Sequence, residues 1–372
     1  MNTTHYDSVV IGGGFAGLAC AQVMSRKGLQ VKVLEKKPWP GTKSHTTGIV
    51  VKELAESWDI PARLSKKISA VRIYSPNMES LDLYSPEYYF LATDTPALLR
   101  WHAEQAIQAG TSISYSYQYR HSTSLGGYHH LNDGDIRCRY LIGSDGSRSR
   151  VARQYSLGRN RCFLFGIEAD FHPIPNLSQD HLHVFLDNDI TSGYIAWVVP
   201  GVHTNQVGLA SRSPSVPALE RFLHKIASTW NIDKSAILSI RSGLIPCGGI
   251  VKPFHGNDVL LLGDAAGMVS PLTAGGIHPA VNIGTLAGEL VAEYLLYHQQ
   301  NPGRALRREL PHYLFKRNLR SIYDKLPFSN SLFNALIHTP LFRTVAQAVF
   351  FHHRGFLSTA AWRDIVRMSL HS

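Results

Sequence analysis

Residues 6–35, YDSVVIGGGFAGLACAQVMSRKGLQVKVLE, decide the fold. A short β-branched run, residues 6–11, ends abruptly in glycines and reads as a strand. Residues 15–27 set Leu18, Ala19, Val23 and Met24 on one face at helical spacing. Residues 30–35 form a second strand that ends in Glu35. Between the first strand and the helix, Gly12, Gly14 and Gly17 make a GxGxxG turn. Gly12 permits the tight turn, Gly14 lets the backbone approach a pyrophosphate, and Gly17 lets the helix pack closely on the strand. The helix start at Phe15 and Ala16 offers amide hydrogens and a positive dipole end to phosphates. Glu35, 23 residues after Gly12 and followed by Lys36, can accept ribose hydroxyls and would repel a 2′-phosphate. Strand, glycines, helix, strand and acid in this order predict a dinucleotide-binding βαβ unit.

Working outward, the 372 residues suffice for about two domains. Apolar residues make up 44% and charged residues 17%, a globular balance that excludes extensive disorder. Cys20, Cys138, Cys162 and Cys247 form no CxxC pair, so neither a disulfide framework nor a metal site is expected. No secretory signal and no apolar run of transmembrane length is visible, which points to a cytoplasmic protein. The net charge of +10 is uneven: residues 301–372 hold 11 Lys/Arg against 3 Asp/Glu, leaving +8 there.

Residues 95–109, 216–229 and 276–297 read as helices. Residues 70–74, 80–84, 181–187, 193–199, 205–211 and 258–263 read as strands. Several strands follow one another without helices, which suggests an antiparallel sheet.

Two later segments carry further signals. Residues 141–153, LIGSDGSRSRVAR, place Asp145 and Gly146 after a strand, with Ser149 and Arg153 beyond. Residues 261–277, LLGDAAGMVSPLTAGGI, place Gly263 and Asp264 after a strand, then Pro271, and Gly275 and Gly276 before a helix starting near Ile277. A carboxylate at Asp264 suits a ribitol or ribose hydroxyl, and the helix N-terminus suits an anionic ring edge. The first segment resembles the DG fingerprint of the para-hydroxybenzoate hydroxylase-type flavoprotein superfamily. The second resembles the GDAAG, proline and GxGI series of the geranylgeranyl reductase family. Gly193-Tyr194, Trp197, Pro200 and Gly208 resemble that family's aromatic, Trp, Pro and Gly stretch, which lines its substrate cavity. Two residues rather than one separate Tyr194 from Trp197.

The resemblance covers roughly residues 5–300. It implies an α/β fold: a Rossmann-type FAD/NAD(P)-binding domain of GR2 type with an inserted antiparallel β-sheet substrate domain and a helical C-terminal region. The FAD domain would use residues 1–55, 90–155 and 250–300, the substrate domain 56–89 and 156–249, and the C-terminal region 301–372. Where the family carries an FAD-binding arginine the alignment places Thr95, with Arg100 five residues on. The family's cysteine segment reads His45-Thr46-Thr47-Gly48 here, and its tyrosine after the GxGI turn reads His278.

The resemblance implies FAD as cofactor, with NAD(P)H or another donor as transient reductant. The implied activity is reduction of carbon–carbon double bonds in a hydrophobic, isoprenoid or lipid-like substrate. A monooxygenase or halogenase acting on an aromatic or polyketide shares every FAD motif, and a non-catalytic FAD-binding protein is the third reading. Lys43, His45 and His278 are the candidate proton donors. Tyr194 and Trp197 are the candidate substrate contacts. No nucleic-acid partner and no metal is expected. The basic, aromatic-rich tail forms short amphipathic helices, with Leu332, Phe333, Leu336 and Ile337, then Leu341, Phe342, Val345 and Val349, on apolar faces. These suit peripheral contact with an anionic membrane surface, or packing on the body of the protein.

Overall fold

A computed structural model describes residues 4–132, 134–212, 218–311, 313–325 and 329–351. Two compact units alternate along the chain. The first takes the chain up to Ser44, then Thr95–Phe163 and Ile245–Arg320; the second takes His45–Asp94, Leu164–Leu244 and the chain from Ser321.

The first unit is built on a sheet ordered His255–Gly256, Val259–Leu261, Ile136–Gly143, Thr4–Ile11, Val31–Leu34, Ser112–Ser114, extended beside Ile136–Gly143 by Tyr128–Leu131 and Ser122–Leu125. Five neighbouring strands run parallel, and the central four are apolar on both faces, as doubly covered strands must be: Val9, Val10, Val33, Leu141, Ile142, Leu260 and Leu261 are fully buried. Register decides where the function lies. Ile11 pairs with Gly143 and Leu34, and Gly143 pairs with Leu261, so four strand ends form one row. The GxGxxG turn, Glu35, the Asp145-Gly146 segment and the Gly263-Asp264 segment therefore all leave the sheet at one edge. In such sheets ligands bind beyond the carboxyl ends of the strands.

The helix Phe15–Arg26 packs against the long helix Ile277–Tyr297 through two glycines. A Cβ on Gly284 would lie 2.6 Å from the Ala16 carbonyl oxygen, and one on Gly288 2.6 Å from that of Cys20. Position rises together along both helices, so they run parallel and present their N-termini at the same end.

The second unit holds a seven-stranded sheet ordered Ile237–Pro246, Phe163–Phe171, Asn205–Ser211, Ala196–Pro200, His181–Phe185, Ala70–Tyr74, Ser80–Tyr84. The strands expected at 70–74, 80–84 and 205–211 have those bounds. The sheet departs from a purely antiparallel one, because His181–Phe185 pairs parallel to Ala70–Tyr74. The chain runs through the whole middle of the first unit between these strands, so no tight turn dictates their relative direction. The expected strand 193–199 starts only at Ala196: Gly193 has φ of 73° and the Thr191 hydroxyl donates to the Tyr194 carbonyl, closing a turn.

The unit boundaries also differ from the sequence expectation. Residues 45–55 and 90–94 join the second unit, because Ile49–Val51 and Ser65–Ile68 both pair with Phe90–Thr93 in a three-stranded antiparallel sheet. The C-terminal region is divided rather than separate. Leu306, in the helix Pro302–Glu309, is buried in the first unit's core, while Ile337, Ala346 and Phe351 join Leu81, Leu83 and Phe90 in the second's. Pro340 starts the helix Pro340–Phe351. That helix buries Ala346, Gln347, Ala348 and Phe351 and turns Leu341 and Val345 outward, so its inner face lies to one side of the expected stripe. In the preceding helix Phe333 is buried and Leu332 exposed. Residues 216–217 of the expected helix, and the tail aromatics Phe328, Phe356 and Trp362, lie outside the described residues.

Candidate cofactor site

At the row of strand ends, each glycine of the turn has a different task. Gly12 has φ of 104°, and a Cβ there would collide with the Ser144 carbonyl. On Gly17 a Cβ would collide with the Gly12 carbonyl oxygen and the Ser144 hydroxyl. Gly14 is the opposite case: a Cβ there would meet no protein atom within 4 Å, and its backbone is extended (φ −85°, ψ −179°). The chain therefore leaves open space along the Gly14 backbone, directly before the first turn of Phe15–Arg26. That turn's amides have no intrahelical acceptor.

Glu35 closes one side. Its carboxylate accepts the Gly13 amide at 2.7 Å and the Lys37 amide at 2.8 Å, which fixes its orientation. Each oxygen keeps a further lone pair for a hydroxyl. Lys36 is exposed beside it. Phe15 and Ala16 are buried, and the Phe15 ring stacks on His102, whose burial pulls its pKa down to about 3. Phe15 thus turns its side chain into the protein, and what it can offer a ligand is backbone. Arg100 lies exposed on the helix Thr95–Gln108.

Asp264 lies near the Gly276 cap, its Oδ1 3.9 Å from where a Gly276 Cβ would stand. Its side chain is open to solvent, yet the dense protein behind it draws its pKa up to about 6 by desolvation. Gly263 takes φ of 56°, which turns the strand end into a short 3₁₀ segment, Gly263–Ala266. Pro271 is buried, Gly275 is exposed, and Ile277 is buried as the first residue of the long helix.

Asp145 has a structural task. One oxygen accepts the Ser149 hydroxyl at 2.6 Å and the other accepts the amides of Arg150 (2.6 Å) and Val151 (3.2 Å). Its side chain thus receives the first amides of the helix Arg150–Gln154, whose N-cap is Ser149, and the next residue, Gly146, has φ of 85°. Asn160, which the sequence reading missed, donates to the carbonyls of Ser147 (3.0 Å) and Asp264 (2.8 Å) and ties the two loops together. Nothing in a lone Asn signals this role.

Residues 5–296 match the FAD binding domain family. The chain belongs to that family. The residues at the row of strand ends fit FAD: an open path along Gly14, two helix N-termini at one end, and carboxylates at Glu35 and Asp264 that could accept hydroxyls. Over 312 residues this flavoprotein is 29% identical to digeranylgeranylglycerophospholipid reductase 2 of Methanopyrus kandleri, covering 77% of each chain. Its fold is similar to that of a geranylgeranyl bacteriochlorophyll reductase-like protein of Thermoplasma acidophilum, with a TM-score of 0.81, 18% identity and coverage of 98% and 96%. It is also similar to the flavin-dependent brominase Bmp2, with a TM-score of 0.69, 17% identity and coverage of 98% and 99%. The flavoprotein is accordingly an FAD-dependent oxidoreductase.

Of the candidate proton donors, His278 lies in the first turn of the long helix, half-buried, with Nε2 3.0 Å from the Asn282 amide nitrogen. Lys43 is exposed with φ of 45°, and its carbonyl accepts the Lys37 ammonium. Both belong to the first unit, whereas His45 belongs to the second, against Gly243.

Within the second unit the structure gathers a polar cluster around Trp197. The indole N–H donates to Glu168 at 2.6 Å, and the ring lies so close to Gly208 that a Cβ there would come within 2.7 Å of it. Glu168 also accepts the Thr47 hydroxyl at 2.6 Å and pairs with Arg241, which pairs in turn with Asp170. Burial pushes the Glu168 carboxyl up, and Arg241, Thr47 and Trp197 pull against it. Trp197 is therefore a fixed aromatic face. Tyr194 sits in the turn before that strand, half-exposed. Glu168, Thr47 and Arg241 were missed from sequence. The available signal was two acids on one face of an otherwise apolar strand, Phe163–Phe171.

Proposed function

We propose that this flavoprotein reduces carbon–carbon double bonds of a hydrophobic, isoprenoid or lipid-like substrate. The observation that carries the reading is the likeness to a digeranylgeranylglycerophospholipid reductase along 77% of both chains. The locked indole of Trp197 supports it, because a rigid aromatic face suits an apolar chain that brings few polar handles. When bound, FAD supplies the two-electron chemistry, renewed by NAD(P)H or another donor. The chain's own task is to bind, to exclude water and to deliver a proton, and His278 and Lys43 are its candidates.

The brominase likeness favours one rival, a monooxygenase or halogenase on the same fold. Reduced holoprotein given a geranylgeranyl lipid without oxygen is expected to reoxidise its flavin, with the lipid gaining hydrogen by mass spectrometry. Reoxidation that needs oxygen, with oxygen or halogen added to the product, establishes the rival. No turnover with any reductant establishes a non-catalytic flavoprotein.

No described helix is long and apolar enough to cross a membrane. The exposed Leu332, Leu341 and Val345 suit peripheral contact with a lipid surface. Co-sedimentation with anionic vesicles is expected at low salt and to weaken at high salt. Protein that stays in the supernatant at low salt makes the tail a purely structural element.

A further inference from the structure

A row across three neighbouring strands of the second unit reads Glu168, Gly208, Trp197: Glu168 pairs with Gly208, and Gly208 with Trp197. Residues paired in this way share one face of the sheet. Side chains ordinarily stand roughly perpendicular to a sheet. The Trp197 indole instead leans over the neighbouring strand. Its Nε1, Cε2 and Cζ2 would lie 2.7–2.8 Å from a Cβ on Gly208, so the ring edge occupies the place of that missing side chain. The indole N–H thereby reaches a carboxylate two strands away. Glycine at 208 opens this path, and the acceptor at 168 ends it.

Glu168 is 5% exposed and has both oxygens engaged by the protein. Oε2 accepts the indole N–H and the Thr47 hydroxyl, each at 2.6 Å, and Oε1 pairs with Arg241. Arg241 also holds Asp170, which accepts the Ser239 hydroxyl at 2.7 Å. A buried ion pair is poor grounds for stability, because apolar residues of similar volume often serve as well or better. What an apolar residue cannot do is fix the direction of an N–H donor. The indole itself stays partly exposed. We propose that Glu168 is a positioning residue: it holds Trp197 down against the sheet and so sets the clearance above it for the branched chain of an isoprenoid-like substrate. The inference rests on the reading above, in which Trp197 contacts the substrate. Released from the acid, the indole can take an upright rotamer and stand in space that a methyl-branched chain needs. A linear chain is narrower and needs less of it.

The test is calorimetric titration of FAD-loaded protein with detergent-dispersed geranylgeraniol and, separately, with the linear alcohol n-hexadecanol. Wild type is expected to bind both. Glu168→Leu and Gly208→Ala break the same indole bond from opposite sides, the second with Glu168, Thr47 and Arg241 unaltered. Each is expected to weaken geranylgeraniol binding about tenfold and n-hexadecanol binding by no more than about twofold, on the scale of one lost hydrogen bond to a charged acceptor. Glu168→Gln keeps an acceptor for the indole and should restore geranylgeraniol binding to within about threefold of wild type. The near-UV circular dichroism band that Trp197→Phe removes should change in the Leu and Ala variants and persist in the Gln variant. Flavin content should stay at the wild-type level throughout. Should Glu168→Leu fail to fold, Gly208→Ala against wild type carries the comparison. Equal losses for the two alcohols, no loss for geranylgeraniol, a Gln variant as weak as the Leu variant, or a wild type that does not bind both alcohols would overturn the proposal. Geranylgeraniol that binds with this pattern but gains no hydrogen from reduced holoprotein counts against the reduction reading alone and leaves the positioning role of Glu168 supported.

Discussion

A Gly14→Val protein is expected to fold normally and to emerge without flavin. The backbone at Gly14 is extended, with φ of −85°, a conformation any residue adopts. No protein atom stands within 4 Å of where its Cβ would be. The new side chain therefore meets nothing in the empty protein, and stability should change by no more than about 0.5 kcal/mol. It would stand in the path along the turn that the pyrophosphate must follow. FAD affinity should fall about 100-fold or more, equivalent to about 2.8 kcal/mol. Denaturant unfolding and flavin absorbance, measured together on the purified protein, separate the two effects. A folded, yellow Gly14→Val protein would place the pyrophosphate elsewhere.

Gly17→Val is expected to fail in a different way, through the fold itself. Its side chain would collide with the Gly12 carbonyl oxygen and the Ser144 hydroxyl. Neither can retreat cheaply. The Ser144 hydroxyl donates to the carbonyls of Ile11 (3.0 Å) and Gly12 (2.8 Å), and Gly12 is held at φ of 104° with its amide on the Leu34 carbonyl. The helix would have to lift off the strand, undoing its contact with the long helix as well. Overpacking of this kind costs about 3 kcal/mol or more, a large share of a stability of about 5–15 kcal/mol. The urea midpoint should drop sharply, or the protein should be recovered insoluble. A Gly17→Val midpoint equal to wild type would show that helix and strand do not meet here.

The contrast between these two glycines shows how the motif divides. The sequence reading treated Gly12, Gly14 and Gly17 as one signature. In the structure two of them serve the protein's own packing, and Gly14 leaves room for something that is not protein. Asp145 shows the reverse lesson. Its place in a fingerprint suggested a cofactor contact, and in the structure its carboxylate also accepts the Ser149 hydroxyl and two backbone amides. A carboxylate one residue before a glycine reads identically in both roles. Only the position of the next helix distinguishes them.

What the sequence by itself determined is what local rules govern. Strand and helix periods, the glycine spacing and the acid at the end of the second strand are properties of neighbouring residues, and they yielded the βαβ unit and the flavin. Strand bounds such as 70–74, 80–84 and 205–211 are local in the same sense. Tertiary structure alone decided the rest, because the contacts involved join residues far apart in the chain. The row Ile11, Leu34, Gly143 and Leu261, which brings four loops to one edge, depends on register between strands far apart in the chain, such as Ile11 with Gly143 and Gly143 with Leu261. The parallel pair His181–Phe185 and Ala70–Tyr74 follows a connection with no turn to read. Glu168, Thr47 and Arg241 meet at Trp197 from separate segments. A charge's partner, or its absence, is a fact about space, and no spacing along a chain encodes it.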